Sequence, residues 1–153
     1  MNGNSESTDR GLQILLKAWD TMQELAKSNG QAAWTIRAWG ISVWCALVAY
    51  AVTNRIAPLL LVAIAQLTAA FLMEMAARQV QYAFIARSLE IEKSIESVLV
   101  GEGQYVPEGG ISTNIPTPTI HTLGQLLSVR RWQHWFPYVV LIGFSFVAYA
   151  LER

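Results

Sequence analysis

Three long apolar stretches without a charged side chain constrain this chain more than any other feature. They cover residues 38–54, 56–73 and 132–151 and contain 17, 18 and 20 residues. A helix rises ~1.5 Å per residue and the apolar core of a bilayer is ~30 Å thick, so about 17–25 residues are enough to cross it. Each stretch therefore predicts a transmembrane helix.

The alternative is a soluble bundle whose central helices are apolar on all sides. The chain is 53% hydrophobic and only 14% charged, whereas a soluble domain carries about 25% charged residues. Three such helices in 153 residues leave too little amphipathic chain to cover them. The sequence therefore favours an all-α integral membrane protein.

The first two stretches are so close together that they predict a tight transmembrane hairpin. Thr53, Asn54 and Arg55 are the predicted bend. Pro58 suits the first turn of the second helix, because the N–H that proline lacks has no hydrogen-bond partner inside the helix there.

Lys and Arg are distributed unevenly about these spans, which predicts their orientation. Nine of the eleven fall on one side, and only Arg55 and Arg153 fall on the other. This places the N-terminus in the cytoplasm and the bend and C-terminus outside. The third span contains Pro137 and Gly143, so a kinked or re-entrant segment is the alternative to a full crossing.

Residues 7–30 are predicted to form an amphipathic cytoplasmic helix. Capping residues stand at Ser7, Thr8 and Asp9, and Asn29-Gly30 is a typical stop signal. Its apolar residues follow the a/d spacing of two heptads: Leu12, Leu15, Trp19, Met22 and Ala26. Three placements are consistent with this apolar seam: it lies on the membrane surface, it packs on a neighbouring helix, or it joins two subunits.

The second span is predicted to continue as one helix to Val100, since no helix breaker occurs before Gly101. An apolar stripe follows one face of its cytosolic part and must be buried against something. The candidates are the N-terminal helix, a second copy of the chain or another protein. The residues predicted to dock a partner or a second copy are Leu12, Leu15, Trp19, Phe84, Ile91 and Ile95.

Gly, Pro and Thr dominate residues 101–124, which predict an ordered irregular loop, with a mobile linker as the alternative. An in-plane lead then enters the third span, and its predicted lipid-headgroup contacts are Arg130, Arg131, Trp132 and Trp135. The predicted organisation is thus a cytoplasmic amphipathic helix (1–30), a transmembrane hairpin (31–77), a cytosolic helical extension (78–100), a cytoplasmic loop (101–124) and a lead with the third transmembrane helix (125–153).

Polar residues inside or beside the spans are the candidate functional residues. Arg37 and Glu74 lie at similar distances from the bend, so they are predicted to form an ion pair at the inner boundary, the alternative being that each reaches for water. Gln66 is predicted near mid-bilayer, where its amide needs a partner: Ser42, or Gln66 of another copy. Together with Thr68 it either holds helices together or lines a pore.

No catalytic constellation is recognisable in the sequence. Cys45 is the only cysteine, and there are two histidines, His121 and His134. Neither a phosphate-binding loop nor a metal-binding or nucleophile motif occurs. The net charge is zero, which gives no basis for nucleic-acid binding. The sequence predicts neither an enzyme nor a cofactor or metal site.

The layout of residues 7–100, a cytoplasmic helix, a tight two-span hairpin and a long cytosolic helix, resembles bacterial SLATT-type membrane effectors. That resemblance implies an inner-membrane protein of an anti-phage system that oligomerises and permeabilises the membrane. The third span and the loop depart from the simplest form of that plan.

Two functions are consistent with these features. The leading one is a homo-oligomeric protein of the bacterial inner membrane that forms a pore or a membrane-disrupting assembly, with the lipid bilayer and further copies as its partners. The alternative is a membrane anchor that docks a soluble cytoplasmic protein through the stripe Val80–Val98 and the loop. A small transporter is disfavoured, because no ionisable residue is predicted near mid-bilayer.

Overall fold

The computed structural model describes residues 3–100, 111–113 and 131–152, which contain three helices. These are α1 (Gly3–Asn54), α2 (Ala57–Val100) and α3 (Trp132–Glu152). All three are long and apolar enough to cross a membrane, by length and composition. The prediction of an all-helical chain with three membrane-length apolar helices is thereby confirmed for the described residues.

The bend between α1 and α2 lies at the predicted place and has the hydrogen bonds of a Schellman motif. The Ile56 N–H donates to the Ala51 carbonyl at 2.9 Å, and the Arg55 N–H donates to the Val52 carbonyl at 3.3 Å. Arg55 occupies the left-handed position of the motif with φ 56°. Pro58 lies in the first turn of α2 as predicted.

The predicted helix end at Asn29-Gly30 is wrong, because α1 continues through both residues. The helix also begins earlier than predicted, at Gly3 rather than at the capping residues Ser7, Thr8 and Asp9. Asn29 donates its side-chain amide to the Leu25 carbonyl one turn earlier, at 2.8 Å, instead of ending the helix. A Cβ atom on Gly30 would lie 2.7 Å from Gln81 Nε2. The glycine therefore permits a close approach of the Gln81 side chain rather than a turn.

The three helices contribute to two compact units. Unit 1 is drawn from Met1–Gly30 and Val80–Thr117, and unit 2 from Gln31–Gln79 and Pro118–Arg153. The predicted loop 101–124, except for residues 111–113, and the in-plane lead up to Arg130 lie outside the described residues.

Unit 1 is a contact between the apolar seam of α1 and the apolar stripe of α2. Its core consists of Leu15, Ala18, Met22, Ala26, Phe84, Ile91 and Val98, with Leu12, Trp19, Leu25, Val80, Ile85 and Ile95 packed around it. Gln23 donates its amide to the Ser88 hydroxyl across this contact, at 3.0 Å. Of the three candidates for covering the α2 stripe, the N-terminal helix is the one observed.

Unit 2 contains the α1–α2 hairpin with α3 packed against it. Its apolar core consists of Trp44, Val48, Ala51, Leu60, Ala63, Leu67 and Tyr138. The α3 residues that face this core recur every three to four positions, as expected for one face of a helix. α3 is continuous from Trp132 to Glu152 despite Pro137 in its interior, so this range lacks the break that a re-entrant segment requires.

Candidate functional site

A polar cluster in the interior of unit 2 surrounds the carboxylate of Glu74, which has no exposed surface. Arg37 donates two hydrogen bonds to this carboxylate: Nε donates to Oε2 at 2.9 Å and Nη2 donates to Oε1 at 2.7 Å. This is the bidentate geometry that makes arginine–carboxylate pairs strong. The predicted Arg37–Glu74 pair is therefore present.

Two further groups complete the hydrogen bonding of this carboxylate. Arg78 Nε donates to Oε1 at 2.8 Å, and the Tyr138 hydroxyl donates to Oε2 at 2.7 Å. Arg37 Nη2 also donates to the His134 carbonyl at 3.2 Å. Each carboxylate oxygen thus accepts two hydrogen bonds, which fills its acceptor capacity.

The positions of these groups in the sequence explain why they meet in the hairpin. Arg37 and Glu74 lie at similar distances before and after the bend, so the antiparallel helices place them side by side. Arg78 follows Glu74 by four residues, and therefore lies one turn further along the same face of α2. Tyr138 is on the α3 face that packs against the hairpin. One buried carboxylate thus connects all three helices.

Trp34 forms the outer wall of this cluster. Its ring lies 5.0 Å from the Arg37 guanidinium carbon and 5.6 Å from that of Arg78. Both distances are within the range of cation–π attraction. Trp34 is 61% exposed, whereas Arg37 and Arg78 are buried, so the indole is the exposed member of this cluster.

A second polar contact joins α1 to α3 within the apolar core. Trp44 donates its indole N–H to the Ser145 hydroxyl at 2.8 Å, and Ser145 donates to the Leu141 carbonyl at 3.1 Å. Both side chains are buried. An indole N–H in an apolar interior needs such an acceptor.

Gln66 does not contact Ser42 of its own chain, one of its two predicted partners; a contact with Gln66 of a second copy stays a prediction. Its Nε2 donates to the Gly40 carbonyl at 3.4 Å, while its Oε1 is buried without a hydrogen-bond donor among the described residues. Gly40 is reachable because the helices approach closely there: a Cβ atom on Gly40 would lie 2.6 Å from the Ala70 Cβ. Ser42 is exposed on the outside of α1, and Thr68 is exposed and donates to the Ile64 carbonyl of its own helix.

An open groove of about 390 Å³ runs beside Gln66 along the hairpin. The groove is almost entirely apolar, and the residues lining it are Thr35, Ile36, Trp39, Gly40, Val43, Gln66, Ala69, Ala70 and Met73. Its α2 residues, such as Gln66 and Met73, lie on the opposite side of that helix from Phe71, which packs against the core that includes Tyr138 of α3. Among the described residues, the hairpin is thus covered by α3 on one side and by no helix on the other.

The predicted docking residues of unit 1 require a correction, because the chain itself covers them. Leu15 and Ile91 have no exposed surface and Phe84 is buried, while Leu12, Trp19 and Ile95 are partly buried against the same core. The a/d spacing that predicted a contact surface was correct, but α1 and α2 satisfy each other within unit 1. These side chains are not a free surface for a partner.

The predicted headgroup residues are only partly described. Trp132 is exposed and lies edge-on to Phe136, with ring centroids 5.4 Å apart. Trp135 and Arg131 are half-buried and Arg130 lies outside the described residues. No group of three or more His, Cys, Asp or Glu side chains that could hold a metal ion occurs within the described residues.

Sequence reasoning missed three members of the cluster: Trp34, Arg78 and Tyr138. Arg78 had a local signal, its position one turn after Glu74. Tyr138 had none, because its role depends on the side of the hairpin against which α3 packs.

Comparison of the chain with family models, curated proteins and solved structures gives no match. The resemblance to SLATT-type effectors stays a prediction.

Proposed function

We propose that this protein is a homo-oligomer of the bacterial inner membrane whose unit 2 assembles into a ring that forms a pore or disrupts the bilayer, with the N-terminus in the cytoplasm. The observation that carries the proposal is a small-residue stripe on α1 that the hairpin leaves exposed, defined by Ser42, Cys45, Ala46, Ala49 and Thr53. The hairpin contact uses Trp44, Val48 and Ala51 instead. Small side chains on a membrane helix allow another helix to approach closely.

A ring needs two different faces on each copy, because a face that meets itself produces only a dimer. The small-residue stripe supplies the first face. The groove beside Gln66, which neither α3 nor any other described segment fills, supplies the second. In the proposed ring, the small-residue stripe of one copy packs into the groove of the next.

The small-residue stripe and the groove each carry a polar side chain at a similar depth in the proposed membrane, Ser42 on the stripe and Gln66 in the groove. Gln66 donates to the carbonyl of Gly40, and Ser42 lies only two residues further along α1, so a neighbouring copy at equal height brings its Ser42 hydroxyl to the level of Gln66. The Oε1 atom of Gln66 has no hydrogen-bond donor among the described residues, and lipid tails offer none. The hydroxyl of Ser42 from the next copy supplies it after a small rotation of the amide.

The anchor function has less support from the geometry. The α2 stripe that was its predicted docking surface is covered by α1, and its other element, the loop 101–124, is mostly outside the described residues. Among the described residues of unit 1, no contact favours a soluble partner over the internal packing already present.

Cross-linking between copies tests the proposed ring directly, and the native Cys45 supplies one exposed thiol on the small-residue stripe. We expect a chain carrying Ala69→Cys in the groove to form a ladder of trimers and larger species with a short bismaleimide in membranes. The matched control is Thr68→Cys, since Thr68 is exposed one residue away but does not line the groove. An equal ladder from both variants, or none from Ala69→Cys, rejects the proposed interface.

Dye release from liposomes tests the activity. Wild-type protein should release a trapped dye, and Ala46→Leu and Gln66→Leu should each reduce the release several-fold, because one blocks close packing and the other removes the amide. Ala150→Leu on α3 is the size-matched control, since Ala150 is also exposed. If the ring forms by cross-linking but no dye escapes, the assembly stands and the pore function is rejected.

A further inference from the structure

The Glu74 cluster contains more positive charge than its single carboxylate can neutralise. Arg37 and Arg78 both contact Glu74, and their side chains are only 11% and 7% exposed. No second carboxylate or other anionic group contacts either guanidinium among the described residues. The cluster therefore holds one uncompensated positive charge in a poorly hydrated place, which is costly without a counter-anion.

The two guanidinium groups also have unused hydrogen-bond donors. Each carries five N–H bonds; Arg37 uses three of them and Arg78 uses one. Glu74 cannot accept more, since both of its oxygens already accept two bonds. The remaining donors are the Nη1 group of Arg37 and both Nη groups of Arg78. Both side chains keep some exposed surface, which a ligand needs in order to reach these donors.

Trp34 holds these donors in a defined orientation. Its ring attracts both guanidinium groups, at 5.0 and 5.6 Å from their central carbons. Glu74 fixes the Nε sides of both groups. Arg78 is bonded at Nε and has both Nη groups unused, so it presents parallel N–H bonds that match the oxygens of a phosphate group, and Arg37 adds its Nη1 group.

We propose that Arg37, Arg78 and Trp34 form a binding site for a phosphate-bearing anion. The excess charge, the unpaired N–H donors and the saturation of Glu74 select an anion with several acceptor oxygens. Basic pockets at the membrane boundary bind the head groups of anionic lipids in this way, and a soluble phosphate has the same chemistry. The site is within one copy of unit 2 and does not depend on the proposed ring.

Native mass spectrometry of the full chain in neutral detergent micelles tests the site, because it counts the lipids bound per copy of the chain. The probes are phosphatidylglycerol, phosphatidylcholine and inorganic phosphate, added separately. We expect phosphatidylglycerol or inorganic phosphate to bind at least about tenfold more tightly than phosphatidylcholine. Preference for the lipid identifies a head group as the ligand, and binding of inorganic phosphate alone identifies a soluble anion.

Three variants decide whether the binding belongs to this cluster. Arg78→Gln removes the excess charge and leaves the Arg37–Glu74 pair in place, so we expect the preference to disappear. Arg87→Gln is the matched control, since Arg87 is on the same helix and is paired with Glu90; it should keep the preference. Glu74→Gln increases the excess charge and should strengthen anion binding several-fold.

The opposite signs expected for Arg78→Gln and Glu74→Gln separate a charge-based site from a loss of folding, because misfolding weakens binding in both. Far-ultraviolet circular dichroism of each variant verifies its helix content. Absence of anion preference in the wild type, an unchanged preference in Arg78→Gln, or weaker binding in a fully helical Glu74→Gln variant overturns the proposal.

Discussion

Arg37 and Glu74 are separated by 37 residues in the sequence and are joined by two hydrogen bonds of 2.9 and 2.7 Å. Glu74 is completely buried, so the pair has little access to water. Removing one member of such a pair is expensive, since the other charge stays buried without its partner. This relationship gives the hairpin a fixed register between α1 and α2.

Arg37→Gln should lower the free energy of unfolding by about 3 kcal/mol, because Glu74 loses both bonds of its bidentate contact. Arg78→Gln should cost less than half as much, since Arg37 and Tyr138 remain on the carboxylate. Denaturant unfolding in detergent micelles, followed by circular dichroism, measures both. Arg87→Gln, in a partly exposed pair, serves as the control with little expected change. Equal losses for Arg37→Gln and Arg78→Gln would contradict the assigned roles.

Gly40→Ala should destabilise the protein by about 1–3 kcal/mol through overpacking. The added methyl group would lie 2.6 Å from the Ala70 Cβ, and this clash exceeds the ~1 kcal/mol that alanine gains over glycine in a helix. Adding Ala70→Gly should restore most of the loss. Gly143→Ala is the matched control: nothing lies within 4 Å of the new Cβ, so it should stabilise α3. Thermal unfolding of the wild type, the two single variants and the Gly40→Ala/Ala70→Gly double variant measures these differences in stability. A stabilising effect of Gly40→Ala would show that the helices separate easily.

Arg55→Gly should stabilise the bend by about 1 kcal/mol. Arg55 has φ 56°, a left-handed conformation that costs a residue with a Cβ atom ~1–2 kcal/mol but costs glycine little. Asn54→Gly is the comparison, because Asn54 is the last residue of α1 and has no positive φ; that change should lower stability. The unfolding midpoints of the two variants should therefore move in opposite directions.

Ser145→Ala should cost about 1–2 kcal/mol, since the buried indole N–H of Trp44 loses its acceptor. A double-mutant cycle with Trp44→Phe isolates the contribution of the 2.8 Å hydrogen bond from the change in packing volume. We expect a coupling free energy of ~1 kcal/mol. Thr68→Val removes an exposed hydroxyl that bonds only within its own helix and should have little effect. A coupling near zero would mean that the contact does not hold α3 to α1.

The sequence predicted the three apolar helices, the bend and the Arg37–Glu74 pair for simple reasons. Uncharged apolar stretches of membrane length can be recognised without tertiary information. A tight bend also places residues that are equally far before and after Arg55 side by side on the two helices. The same reasoning failed at Asn29-Gly30. A stop signal is local, whereas the close approach of Gln81 to Gly30 depends on a residue 51 positions away in the chain.

The a/d spacing of Leu15, Met22 and Ala26 determined that this face of α1 must be buried, and the spacing of Phe84, Ile91 and Val98 determined the same for α2. Only the tertiary structure decided that the two faces bury each other rather than a second copy or another protein. Periodicity specifies which side of a helix must be buried away from water. It does not specify the partner, because any other apolar stripe of similar width can cover that side. Tyr138 and Ser145 follow the same rule: their bonds to Glu74 and Trp44 exist because α3 packs on one side of the hairpin, and nothing local to α3 selects that side.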